Sequence, residues 1–218
     1  MILAAGKGER MRPLTLSTPK PLLGVGGKAL IEYHLERLAS HGFRDIVINT
    51  SWLGEQIQAA LGDGTRWGVT INYTLEQPQP LETAGGIVNA LQYLGDEPFL
   101  VVNGDIWCSY QPDRGLNLAD SLAHIVLVDN PEHNPDGDFG LHEGQVINEA
   151  RNRLTFSGIG YYRPSIFKGI RQGTAAPLAP ILRRLADQDK LGGEYYSGEW
   201  LDIGTPQRLE DLDASLPG

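Results

Sequence analysis

The chain has 218 residues, 41% hydrophobic and 21% charged, enough for one sizeable core. Its formal net charge of −9 argues against nucleic acid or an anionic membrane surface as partner. A single cysteine, Cys108, excludes an internal disulfide and suits a reducing compartment; with no secretory signal and no long apolar span, a cytoplasmic protein off the membrane is expected.

The apolar run 1–5 predicts a buried strand that breaks into a loop, Gly6-Lys7-Gly8, followed by Arg10 and Arg12. Apolar spacing predicts a helix over 29–40, stopped by Gly42. A buried strand is expected over 45–49, a short helix over 53–61 closed by Gly62, and an alternating strand over 69–75. A helix over 83–94 carries Gly85-Gly86 in its first turn, and a central strand over 99–102 ends in Asn103-Gly104-Asp105. The second half changes character. A strand over 124–128 leads into a polar, turn-rich loop over 129–138. Short strands follow near 139–141, 145–147 and 154–162, then a helix over 178–186, a strand over 200–203 and a helix over 206–212. Strands alternating with helices predict an α/β fold with a largely parallel sheet.

The opening loop is an anion site by its composition. Glycines let backbone N–H groups approach a ligand, and Lys7, Arg10 and Arg12 add charge; Lys20, between Pro19 and Pro21, puts another cation on a stiff segment. Polyphosphate is the expected anion. Two common phosphate motifs do not fit. The dinucleotide pattern G-x-G-x-x-G fails because Met11 stands where its third glycine belongs, and the next strand ends in Asn49-Thr50 rather than an acid. Gly24-x-Gly26-x-x-Ala29 fits loosely, with no strand before it, and the Walker pattern fails because Gly27-Lys28 is followed by alanine. The competing reading is an ordinary strand, turn and helix start with surface cations.

Asp105 and Asp202 each stand at the C-terminal end of a predicted strand, the edge of an open α/β sheet where ligands bind. Two carboxylates there suit one Mg²⁺ that also meets phosphate oxygens. The alternative for either is a turn or cap aspartate. The five histidines lack metal-ligand spacing and read as structural; no hydrolase nucleophile motif appears.

L-A-A-G-x-G-x-R-M-x-P-L-T…P-K-P-L resembles the opening of the sugar-nucleotidyltransferases, and W-L-D-I-G-T and N-G-D match their later motifs. The resemblance covers nearly the whole chain. It implies a Rossmann-like three-layer αβα fold with a mostly parallel central mixed sheet and a small C-terminal acceptor lobe. One domain is expected, with a nucleotide-binding half over 1–110 and a sugar-phosphate half over 111–218. Members with an added β-helix have more chain, and a residue or two is expected to precede the first strand. The resemblance assigns catalysis to Arg10, on the triphosphate, and to Lys20, on the α-phosphate. It assigns nucleotide binding to Leu3, Ala4, Ala5, Gly6, Lys7, Gly8, Gln77, Glu82, Thr83, Gly85 and Asn103, with Gln77 reading the pyrimidine edge. Thr83 can equally be the cap of its helix. Sugar binding falls to Gly140, Glu149, Ser157 and Gly158, and Mg²⁺ to Asp105 and Asp202.

The chain departs from the family at V-E-K-P: only Asn148-Glu149-Ala150-Arg151-Asn152-Arg153 stands there, with Glu149 the candidate for the glutamate's role and Arg151 or Arg153 either replacing the missing lysine or standing exposed on a hairpin. The implied substrates are UTP and a sugar 1-phosphate, N-acetylmuramate 1-phosphate first among them, within cell-wall recycling, in a monomer or homodimer. Guanylyl transfer to mannose or heptose 1-phosphate, thymidylyl or uridylyl transfer to glucose 1-phosphate, and a non-catalytic regulatory subunit are the other readings.

Overall fold

The computed structural model describes residues 1–216. Its first strand, β1 (Ile2–Leu3), feeds a loop of three 3₁₀ turns, Glu9–Met11, Leu14–Leu16 and Lys20–Leu22. A hairpin follows, β2 (Gly24–Val25) and β3 (Lys28–Ala29), and then α1 (Leu30–Ser40), β4 (Asp45–Thr50), α2 (Gly54–Leu61), β5 (Thr70–Leu75), α3 (Glu82–Leu94), β6 (Phe99–Asn103) and β7 (Ile106–Cys108). The second half holds β8 (Ala123–Val128), β9 (Gly140–His142), β10 (Gln145–Ile147), β11 (Thr155–Tyr162), α4 (Ala179–Asp187), β12 (Leu191–Tyr195), β13 (Trp200–Asp202) and α5 (Pro206–Ser215).

Nine strands form one mixed sheet in the order β5-β4-β1-β6-β11-β8-β12-β10-β9. The strands β5, β4, β1 and β6 are mutually parallel, and β11 then runs against both its neighbours. The second half of the chain extends the same sheet from β11 outward.

Pleat alternation builds the layers. Val47, Val101, Ile125 and Leu127 face one cluster with residues of α3 and α4. Ile2, Ile46, Ile48, Leu100, Val102 and Val126 face the opposite cluster with residues of α1 and α2. A third, smaller cluster sets α5 (Leu209, Leu212) and Ile203 against Met11, Val25 and Leu30, which fastens the C-terminal segment to the opening loop.

Several elements differ from expectation, β7 among them; for two the reason is identifiable. The Gly24–Ala29 region is a tight hairpin; Gly26 and Gly27 both have positive φ, 55° and 80°, as a type I′ turn requires. β12 hides behind Gly192-Gly193, poor strand residues by propensity. A Cβ on Gly193 would stand 2.4 Å from Val146 Cγ2, so the neighbouring strand needs the glycine. No helix among the described residues is long and apolar enough to cross a membrane.

His34 is buried on α1, and its Nε2 has no hydrogen-bond partner. Burial first, then the Arg37 guanidinium, lowers its pKa from 6.5 to about 4. The unfolded chain therefore binds a proton between those values that the native state does not. The stability this neutral imidazole supports is present above pH 6.5 and is lost as pH falls toward 4, by up to about 3 kcal/mol. Urea unfolding at pH 7 and pH 5 should show a drop that His34→Leu reduces; an equal drop in the variant contradicts it.

Candidate active site

The carboxyl ends of β1 and β6 meet at one edge of the sheet. The Gly104 N–H donates to the Leu3 carbonyl at 2.8 Å, and a Cβ on Gly104 would sit 2.5 Å from that oxygen. The glycine thus lets the Asn103-Gly104-Asp105 turn press against the end of β1. β13 pairs with β7 so that Asp202 lies opposite Ile106, and the Ile203 N–H donates to the Asp105 carbonyl at 2.8 Å. Two aspartates far apart in sequence stand on adjoining backbone.

Three contiguous cavities run along this edge. The first, about 250 Å³, is lined among others by Leu3, Ala4, Ala5, Gly6, Lys20, Glu82, Thr83, Asn103 and Asp105. The second, about 440 Å³, holds Arg10, Asn103, Asp105, Ser157, Trp200 and Asp202. The third, about 460 Å³, is walled mainly by Phe139, Phe156 and α4. Asn103 borders all three, and Glu82 and Thr83 border the first and third. Gly158 explains the position of Asn103. It has φ 82° at an irregularity in β11, and a Cβ there would meet Asn103 Nδ2 at 2.5 Å.

Lys20 Nζ donates to Asp105 Oδ2 at 2.8 Å. Asp202 is ion-paired with Arg208 Nη1, and His133 Nε2 is 3.6 Å from its Oδ2. Arg208 Nη2 also meets His133 Nδ1 at 2.9 Å. Arg10 Nη1 would lie 3.3 Å from a Cβ on Gly204, at the same spot as Asp202 and Arg208. Oxygen donors of hard character, balanced by three cations, converge here.

Several residues escaped the sequence reading. Asn49, at the end of β4, accepts the Ala4 N–H at 2.8 Å and donates to Glu76 Oε1 at 2.6 Å. The other oxygen of Glu76 accepts the Leu81 N–H at 2.6 Å. The buried Glu76 thereby ties the opening loop to the segment before α3. A buried glutamate after a strand is not legible from spacing. Its one sequence signal is Gly86, where a Cβ would lie 2.4 Å from Glu76 Oε1. Glu76→Gln replaces an acceptor with a donor facing the Asn49 amide, so it should cost about 1–3 kcal/mol and raise KM for the nucleotide. Thermal melts and initial rates test this; unchanged values count against the role. His133 and Arg208 at Asp202, and Arg183 in the third cavity, were also missed.

The other expected site residues distribute as follows. Gln77 is exposed and lines a separate cavity with Trp52, Leu53 and Gln58. Thr83 is not the cap of α3: the helix begins at Glu82, and the Ala176 carbonyl accepts the Ala84 and Gly85 N–H groups at 2.9 and 3.1 Å. Gly85 therefore packs against the 174–176 segment instead of facing a cavity. Lys7 is exposed, and Gly8 (φ 62°) packs on Thr15. Gly140 packs on Ala150 and Ile147, while Glu149, Arg151 and Arg153 are exposed and line none of the three cavities.

A glycine-bearing loop, a buried lysine on a strand-end aspartate and a second aspartate beside it define a phosphoryl- or nucleotidyl-transfer site on an α/β sheet. The chain belongs to the nucleotidyl transferase family, whose model matches residues 1–217. It is 53% identical to the N-acetylmuramate alpha-1-phosphate uridylyltransferase of Neisseria meningitidis serogroup B, over 98% of this chain and 96% of that one. It is 31% identical to the Caulobacter vibrioides enzyme of the same name, over 99% and 96%. The mannose-1-phosphate guanylyltransferase of Mycobacterium tuberculosis is 31% identical over 99% of this chain and 64% of its own. In fold, a Bacillus anthracis crystal structure, a candidate glucose-1-phosphate thymidylyltransferase in complex with sucrose, superposes with a TM-score of 0.87 at 23% identity, covering 99% and 94%.

Proposed function

We propose that this chain transfers a uridylyl group from UTP to N-acetylmuramate 1-phosphate, releasing pyrophosphate and forming UDP-N-acetylmuramate. The observation that carries this reading is the 53% identity along 98% of the chain to a uridylyltransferase of that specificity. The place in metabolism would be reuse of cell-wall amino sugars.

In this reading the first cavity takes the nucleoside, and the second takes the phosphates between Arg10, Lys20 and the two aspartates. The third takes the sugar. The acceptor phosphate oxygen attacks the α-phosphorus in line, and pyrophosphate departs; no covalent enzyme intermediate is needed. Lys20 opposes charge on the α-phosphate as the transition state forms, and Arg10 does so on the departing pyrophosphate. With Gln77 outside the first cavity, recognition of the base falls to groups that line it, including the backbone of the Ala4–Gly6 segment, Glu82 and Thr83.

The donor set suits Mg²⁺. Asp105 and Asp202 supply two carboxylates; His133 stands beside Asp202 but meets Arg208, and among the described residues no group of three or more acids, histidines or cysteines is placed to hold an ion. That matches a cation held by one or two carboxylates with substrate phosphates completing its shell. When bound, it would screen phosphate charge and orient the triphosphate. Lys20 and Arg208 now neutralise these two carboxylates, so both pairs would have to loosen.

Pyrophosphate release tests the reading, with UTP, dTTP, GTP and CTP crossed against N-acetylmuramate, N-acetylglucosamine, glucose and mannose 1-phosphates. Turnover led by UTP with N-acetylmuramate 1-phosphate is expected. Turnover led by GTP with mannose 1-phosphate overturns the donor and acceptor but keeps the reaction class. Nucleotide binding without turnover of any pair favours a regulatory subunit.

A further inference from the structure

The third cavity has one feature that nucleotidyl transfer does not use. Its lining is mainly apolar: Phe139, Phe156, Leu178, Ala179 and Leu182 among others. The one cation in that lining is Arg183, on α4. Its Cζ stands 5.0 Å from the centre of the Phe139 ring, and its Nη1 makes a long hydrogen bond, 3.4 Å, to Asn148 Oδ1. The Asn148 amide in turn donates to the Arg183 carbonyl at 2.8 Å. No carboxylate among the described residues lies within 4.0 Å of the guanidinium. The aromatic face and the Asn148 contact orient it, while donors remain unspent.

The 1-phosphate has other partners. The reacting phosphates belong with Lys20, Arg10 and Asp105, and none of these lines the third cavity. Of the acids that do line it, Asp138 already accepts the Phe156 N–H at 2.8 Å, and Glu82 stands at the boundary with the first cavity. Arg183, an exposed residue of α4 that lines the third cavity, is therefore a cation there with no carboxylate partner among the described residues. Beside it, Leu178, Ala179 and Leu182 offer an apolar wall.

We infer that Arg183 selects acceptors that carry a carboxylate on the sugar itself, pairing with that group while a small alkyl branch lies against the α4 wall. The inference deepens the proposed function and rests on it. N-acetylmuramate differs from N-acetylglucosamine by a lactyl ether, which is one carboxylate and one methyl. The same pocket thus distinguishes two amino-sugar 1-phosphates with identical phosphates.

The test measures kcat/KM for N-acetylmuramate 1-phosphate and N-acetylglucosamine 1-phosphate with UTP, in wild type, Arg183→Leu and Arg183→Lys. Melting temperature and UTP binding check the fold of each. The ratio of the two kcat/KM values should fall about 10–100-fold in Arg183→Leu, mostly through KM for N-acetylmuramate 1-phosphate, with partial recovery in Arg183→Lys. An equal loss with both acceptors overturns the inference and makes Arg183 a phosphate or packing residue. A ratio that does not move also overturns it. Failure of the proposed function looks different: wild type itself would then favour a sugar 1-phosphate without a carboxylate, before any variant is made.

Discussion

Lys20→Met is expected to lower kcat about 10²–10³-fold and to leave the fold almost unchanged. The magnitude is that of removing one preorganised charge from a transition state. The loss should fall on kcat more than KM, because charge at the α-phosphorus grows only as the reaction proceeds. The geometry predicts the tolerance of the fold. In the Lys20–Asp105 pair the lysine side chain is 9% exposed and the aspartate 42%. Removing the lysine leaves an aspartate that water can reach, and methionine fills the vacated volume. Circular dichroism and thermal melts should match wild type within experimental scatter. A near-normal kcat removes Lys20 from the chemistry.

Asp105→Ala should act more severely and differently. It leaves the buried ammonium of Lys20 without its partner, at a cost of about 1–3 kcal/mol. It also removes one of the two carboxylates proposed for Mg²⁺, so activity should fall at least ~10³-fold, the several kcal/mol such a charge centre contributes. Asp105→Asn separates the two effects. Its amide oxygen can still accept from Lys20, so stability should largely return while activity does not. A chelator should abolish wild-type turnover, and added Mg²⁺ should restore it. Asp105→Asn with ordinary rates, or turnover indifferent to the chelator, would overturn the metal assignment. Asp202 is engaged by Arg208 and His133, so Asp202→Asn should chiefly raise the Mg²⁺ concentration needed for half-maximal rate.

The fit between motif and geometry is closest where chemistry is carried locally. The Leu3–Gly6 run, Lys20, Asn103 and Asp105 line one cavity, as their spacing and the family resemblance suggest. Backbone approach is a local property: the glycine in Asn103-Gly104-Asp105 marks a contact that any Cβ would block. The base loop was less legible. Gln77, Thr83 and Gly85 look alike in sequence, three small or polar residues near a helix start. Their fates differ because Glu76 pins the loop from inside and the distant Ala176 carbonyl caps the helix.

Sequence alone determined the order of most elements, though not the β2–β3 hairpin, β7 or β12, together with the two-sided burial of the parallel strands, the glycine and cation content of the opening loop and the pairing of two strand-end aspartates as candidates. These follow from side-chain periodicity and from residues whose backbone freedom or charge acts within a few positions. Tertiary structure decided which partners meet: Lys20 on Asp105, Arg208 on Asp202 with the His133 ring beside it, and Arg183 lining the third cavity with no carboxylate partner among the described residues. The physical reason is separation along the chain. Arg208 and His133 are 75 positions apart and meet at 2.9 Å because β13 pairs with β7 and α5 packs on the opening loop. Electrostatic partnership depends on distance through space, and periodicity within one element carries no record of it.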